Sequence, residues 1–111
     1  MQALTRIIFV DDNNEKFFGE GPYRLLRGVE KSGSLRATAM EMGMSYTKAL
    51  KLVTKAEEEL GFKFLDRVVG GKAGGGSVLT AEGKSWLDRY EAYRDALLSE
   101  NERLYKEFYG E

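Results

Sequence analysis

Hydrophobic and polar positions in this chain follow two periods, and one helical stretch stands out from the rest. Over residues 45–60, SYTKALKLVTKAEEEL, a helix places Tyr46, Ala49, Leu50, Val53, Ala56 and Leu60 on one side at about 100° per residue. Thr47, Lys48, Lys51, Thr54 and Lys55 fall on the other. The first face predicts a core contact. The second carries three lysines and two threonines, with no carboxylate before the run Glu57-Glu58-Glu59.

The flanking patterns supply the rest of a fold. Residues 4–10 (LTRIIFV) and 15–18 are short apolar runs separated by Asp11-Asp12-Asn13-Asn14, whose side chains make local bonds and tolerate left-handed backbone, so the pair predicts a β-hairpin covering one side of the core. The acidic turn lacks the spaced ligands, glycine and terminal glutamate of an EF-hand. A first helix is expected over 22–31, with Pro22 at its first position, Leu25, Leu26 and Val29 inward and Gly33 as its left-handed end. Ser34 caps a second helix over 35–42, with Leu35, Ala39, Met40 and Met42 as its apolar positions and small residues at Ala37 and Ala39 for close packing. Gly43 closes it, and Ser45 caps the lysine-bearing helix. This is helix-turn-helix spacing. Beyond Gly61, residues 62–69 and 77–79 read as strands around a glycine-rich loop, and Thr80 caps a last helix over 81–109, about 43 Å long. The expected fold is mainly α with small β: a winged helix-turn-helix with an N-terminal β-hairpin and a long C-terminal helix. One domain spans 1–111, with the hairpin in 1–21, the helix-turn-helix and wing in 22–80, and the last helix in 81–109.

Composition narrows the chemistry. The chain has 111 residues, with no cysteine and no histidine, which removes thiol nucleophiles, imidazole bases, disulfides and the commonest zinc ligands. An enzyme, a metal centre or a bound cofactor is not expected, and Glu57-Glu58-Glu59 reads as a solvated helix end. No apolar run reaches the length of a membrane span, and no signal peptide opens the chain, so a cytoplasmic protein without membrane contact is expected. Net charge is −1, but its distribution is uneven. Residues 1–23 carry −2, residues 24–84 carry +4 and residues 85–111 carry −3. The positive segment contains the lysine helix, and a localised basic face attracts DNA even on an acidic protein.

The loop GGKAGGG within residues 70–76 is tested against nucleotide-binding patterns and fails them. Its lysine precedes Ala73 where a Walker A loop needs Ser or Thr leading into a helix, and the chain has no room for a βαβ unit. A wing touching DNA and a merely flexible turn remain. Along the last helix the stripe Trp86, Tyr90, Tyr93, Leu97, Leu104 and Phe108 approximates a heptad seam. Trp86 and Tyr90 suit the domain's own core. Tyr93, Leu97, Leu104 and Phe108 predict a homodimer helix, against a frayed or locally folded tail.

At this point the segments GSLRATAMEMGMSYTKALKLV and FLDRVVGGKAGGGSVLTAEGK resemble the N-terminal winged-helix domain of ModE-type molybdate-responsive regulators, relatives of LysR-type DNA-binding domains. The resemblance covers about residues 20–98, and its most specific parts are Gly-Met-Ser-Tyr before the third helix and the glycine-lysine wing running into Leu-Thr-x-x-Gly. It implies sequence-specific binding of double-stranded DNA by a homodimer, with the third helix in the major groove. Carried over by position, Ser45, Thr47, Lys48 and Lys51 form the groove-facing set, and Gly71, Lys72 and Gly74 the wing contacts. Two departures stand out: Leu50 occupies a place where the family often has an aromatic residue, and full-length members continue into oxyanion-binding domains beyond the point where this chain ends. Molybdate binding by this chain alone is therefore not expected.

The residues themselves extend that reading. Ser34 and Arg36 suit a phosphate at the start of the second helix, Lys48 and Lys51 suit guanine O6 and N7, and Thr47 suits a base edge or a thymine methyl. Lys55 and Arg67 suit phosphates. Half-sites about 34 Å apart would match a two-fold dimer. A merely solvated lysine face is one competing reading, and a protein-interaction module, slightly favoured by the acidic net charge, is another.

Overall fold

Strand pairs flank a three-helix unit, and a long helix closes the chain. The computed structural model describes residues 1–68 and 76–110. Its elements are β1 (Ile8–Val10), β2 (Lys16–Gly19), α1 (Glu20–Ser32), α2 (Leu35–Glu41), α3 (Tyr46–Leu60), β3 (Leu65–Val68), β4 (Gly76–Leu79) and α4 (Ala81–Tyr109). β1 pairs antiparallel with β2, opposing Phe9 to Phe18, and β3 pairs antiparallel with β4, opposing Arg67 to Ser77. This is the expected winged helix-turn-helix with an N-terminal hairpin and a long last helix.

Local chemistry accounts for most boundaries. In the first hairpin Asp11 Oδ1 accepts the backbone N–H groups of Asn13 and Glu15 at 2.8 and 3.0 Å, and Asn14 takes φ +63°. α1 begins at Glu20, earlier than the expected Pro22, because a proline is tolerated anywhere in a first turn whose N–H groups lack intrahelical acceptors. Ser34, Ser45 and Thr80 each accept a backbone N–H three residues on, from Ala37, Lys48 and Gly83, and so start α2, α3 and α4 as expected.

The core lies where α1, α3, β2 and the start of α4 meet. Leu25, Leu26 and Val29 of α1 face Ala49, Val53 and Ala56 of α3, with Phe18, Tyr23, Leu35, Ala39, Phe64, Leu87 and Tyr90 completing the buried set. Phe18 and Phe64 stack at 6.0 Å, and Trp86 and Tyr90 meet Phe18 edge-on. Two expected core residues lie outside it. Met40 is 75% exposed, because the two-turn α2 reaches the core only through Leu35, Thr38 and Ala39. Leu50 is 44% exposed, because the buried seam of α3 is narrow and Leu50 lies about 100° round from Ala49. Leu87, absent from the expected stripe, is fully buried.

α4 is held at two places. Near its start Glu20 accepts hydrogen bonds from Tyr90 at 3.0 Å and Arg94 at 3.1 Å, Tyr23 donates to Glu91, and Arg27 pairs with Asp88 at 2.7 Å. Farther along, Asn101 and Tyr105 donate to the backbone carbonyls of Ala3 and Met1, both at 2.8 Å. The first residues of the chain thus run beside the second half of α4, which the apolar pattern alone left without partners. No helix among the described residues is long and apolar enough to cross a membrane.

Two contacts give direct tests. A Cβ at Gly28 of α1 would lie 2.3 Å from Thr38 Cγ2, and Thr38 is fixed by hydrogen bonds to Ser34 O and Ser32 Oγ. Gly28→Ala should cost about 1–3 kcal/mol by overpacking. Adding Thr38→Ser, which removes the methyl and keeps the hydroxyl, should reverse the loss, as read by urea denaturation of the single and double variants.

Burial, and then the bond to Glu20, push the Tyr90 hydroxyl up to about 12. The raised value stabilises the fold fully below about pH 10, and that contribution is lost as pH climbs from about 10 to 12. Tyr90→Phe should cost about 1 kcal/mol near neutrality and flatten the alkaline fall in stability, a comparison made by denaturant titration at about pH 8 and about pH 11.

Candidate nucleic-acid interface

The turn between α2 and α3 is built from backbone constraints. Gly43 takes φ +73°, a conformation that side chains other than glycine adopt at a cost, and the Met44 N–H returns to Ala39 O at 2.9 Å. Ser45 then caps α3 through the Lys48 N–H at 3.1 Å. The Arg36 guanidinium lies 4.2 Å from the centre of the Tyr46 ring, a cation–π contact that ties the start of α2 to the start of α3. Ser34 caps α2, and its backbone N–H bonds to Ser32 Oγ. The hydroxyls of Ser34 and Ser45 and the Arg36 side chain therefore all shape the motif itself.

This construction presents one face of α3. Thr47, Lys48, Leu50, Lys51, Thr54 and Lys55 are exposed, opposite the buried seam of Ala49, Val53 and Ala56. Lys48, Lys51 and Lys55 recur at helical spacing along one stripe. Lys48 and Lys51 have no ion-pair partner among the described residues, whereas Lys55 Nζ lies 3.5 Å from Glu15 Oε2 at the turn of the first hairpin. Ser45, Thr47, Lys48 and Lys51 are thus brought together in the first turns of α3, with Arg36 beside them through the Tyr46 ring. Arg67 is exposed on β3. Its partner strand is anchored to the base of α2, since the Ser77 N–H donates to Gly33 O at 2.9 Å. Gly71, Lys72 and Gly74 lie outside the described residues.

Two side chains take parts that the sequence reading missed. Glu57, expected in a solvated helix end, is half-buried, and its Oε2 accepts the Phe64 N–H at 2.8 Å, fixing the passage from α3 into β3. Nothing in the run of three glutamates marks which one turns inward. Glu15 is the other, because its partner Lys55 stands forty positions away in sequence.

A second surface lies along α4. Tyr93 is 52% exposed and Phe108 73%, Leu104 is exposed and Leu97 half-buried. Tyr93 meets Phe9 edge-on at 6.2 Å, and Phe9, Trp86, Arg89, Tyr90 and Tyr93 line a shallow groove of about 300 Å³.

Residues 23–84, which span α1 to the start of α4, match the model of the bacterial regulatory helix-turn-helix proteins of the lysR family. The chain is 38% identical over 68 residues to the molybdenum-pterin-binding protein MopB of Rhodobacter capsulatus, a match covering 61% of this chain and 25% of that protein. It is 33% identical over 67 residues to the DNA-binding transcriptional dual regulator ModE of Escherichia coli K12, covering 60% of this chain and 26% of ModE. The chain therefore matches about a quarter of the length of these relatives. Among solved structures, the crystal structure of the BenM DNA-binding domain with benA site 1 DNA shares its fold, with a TM-score of 0.55 and 21% identity over 76% of this chain and 92% of that one.

Proposed function

Because the chain belongs to the lysR family of bacterial regulatory helix-turn-helix proteins, we propose that it is a DNA-binding transcriptional regulator that inserts α3 into the major groove. One observation carries the reading: over residues 47–55 the exposed face of α3 holds Thr47, Lys48, Lys51, Thr54 and Lys55, and its carboxylates, Glu58 and Glu59, come only in the last turn. Lys48 and Lys51, without carboxylate partners, reach guanine edges, and Thr47 reaches a base edge or a thymine methyl. Ser45 and Arg36 hold the first turn of α3 at the groove. Ser34, Arg67 and the wing residues Gly71, Lys72 and Gly74 serve the phosphate backbone, which positions the protein without reading sequence. The binding activity in the name of MopB belongs to a protein of which this chain matches a quarter, and it is not transferred.

A two-fold dimer completes the proposal, with Tyr93, Leu97, Leu104 and Phe108 of α4 meeting a second copy. The exposure of Tyr93, Leu104 and Phe108 on one side of the helix, with Leu97 half-buried between them, supports it. Such a dimer would read paired half-sites about 34 Å apart or a multiple of that.

Selection of bound sequences from a random duplex library tests the DNA reading. Lys51→Ala should lose roughly 1 to 3 kcal/mol and relax preference at one position, while Lys72→Ala should weaken all sequences alike and flatten the salt dependence. A protein-interaction module would show no salt-sensitive shift with any duplex. The dimer is tested by sedimentation at concentrations on the order of tens of micromolar. The unmodified chain should sediment as a dimer and Leu104→Glu with Phe108→Glu as a monomer; a monomer in both cases removes the α4 interface.

A further inference from the structure

The lysine stripe of α3 does not run unopposed along its length. Lys48 and Lys51 face solvent without a partner among the described residues, but the third member, Lys55, is met by Glu15 at 3.5 Å. Glu15 sits at the end of an acidic turn, and its position is set by the backbone. Its N–H is held by Asp11 Oδ1 at 3.0 Å, and its carbonyl accepts the Asp11 N–H at 2.9 Å. The bonds from the Glu15 and Asn13 N–H groups, together with the Lys55 charge, lower the Asp11 carboxyl from its ordinary value. Asp12 is exposed in the same turn. The hairpin that bears these carboxylates is fastened to the core by Phe18, which is fully buried.

A phosphate approaching Lys55 therefore competes with a carboxylate 3.5 Å from its Nζ, borne by a turn that also carries Asp11 and Asp12. An exposed ion pair of this kind contributes little to stability. Its effect on an anionic ligand is larger, since each lysine that neutralises a phosphate contributes to affinity and to its salt dependence by releasing a counterion.

We propose that Glu15 is an affinity-limiting residue, which competes with DNA phosphate for Lys55 and so confines the positive contacts of α3 to Lys48 and Lys51. This rests on the DNA-binding reading above. The hairpin then acts as a built-in restraint on how strongly the domain holds any duplex, independent of sequence.

The test compares the unmodified chain with Glu15→Gln, Lys55→Ala, the double variant, and Glu107→Gln, which makes the same charge change near the end of α4. Binding to a random-sequence duplex is measured by fluorescence anisotropy across a salt series, after thermal melts show that each variant folds. Glu15→Gln should bind on the order of threefold more tightly at low salt and steepen the plot of log affinity against log salt by about 0.9. Lys55→Ala should change little by itself but abolish the gain of Glu15→Gln. The proposal is overturned if Glu15→Gln and Glu107→Gln behave alike, if the gain survives in the double variant, or if Lys55→Ala alone flattens the slope by about 0.9. Absence of binding by the unmodified chain would instead remove the DNA-binding reading, and this inference with it.

Discussion

The close contact of α1 with α2 at Gly28 and Thr38 sets the direction of the helix-turn-helix. Thr38 is buried, its hydroxyl bonded to Ser34 O and Ser32 Oγ, and its methyl fills the space where any side chain at position 28 would stand. A polar group inside a small core is stabilising only when it is hydrogen-bonded, and here the bonds come from the turn that joins the two helices. The same turn offers Gly33 O to Ser77. One junction therefore orients α2 and seats the second hairpin, and α3 inherits its direction from α2 through the Gly43 turn.

What could be read from the sequence was what local chemistry decides. Ser34, Ser45 and Thr80 were legible as caps because a cap needs only its own hydroxyl and an N–H three residues on. Glycine at positions 33 and 61 was legible as a helix end because it takes positive φ without a Cβ clash, an equally local cause. Periodicity was less dependable where the core is small. Met40 and Leu50 have the spacing of inward residues, yet the core formed by α1, α3 and α4 is filled without them. Partners distant in sequence left no trace. Neither Tyr90 with Glu20 nor Tyr105 with Met1 follows from any pattern, since the pairs are 70 and 104 positions apart.

The candidate site divides in the same way. The two faces of α3 follow from helix geometry, so the exposure of Thr47, Lys48 and Lys51 is legible in the sequence. The structural duties of Arg36, Ser34 and Ser45 within the motif were only half visible, because the cation–π contact between Arg36 and Tyr46 bridges two helices. Glu57 shows the limit most plainly: three adjacent glutamates look alike as letters, and only the approach of Phe64 distinguishes one of them.

A net charge of −1 is a poor guide to this surface, because opposite charges are not spread evenly over it. Arg24, Arg27, Lys84 and Arg94 are matched by Glu20, Glu30, Asp88, Glu91 and Asp95 within and between α1 and α4, and Arg103 and Lys106 by glutamates one turn away on α4. Those pairs cancel one another within a few ångströms and contribute little field at a distance. The first turns of α3 hold two lysines outside this arrangement. A ligand sensing local potential meets positive charge there, bounded at Lys55 by the acidic hairpin, and the overall sign of the protein describes neither region.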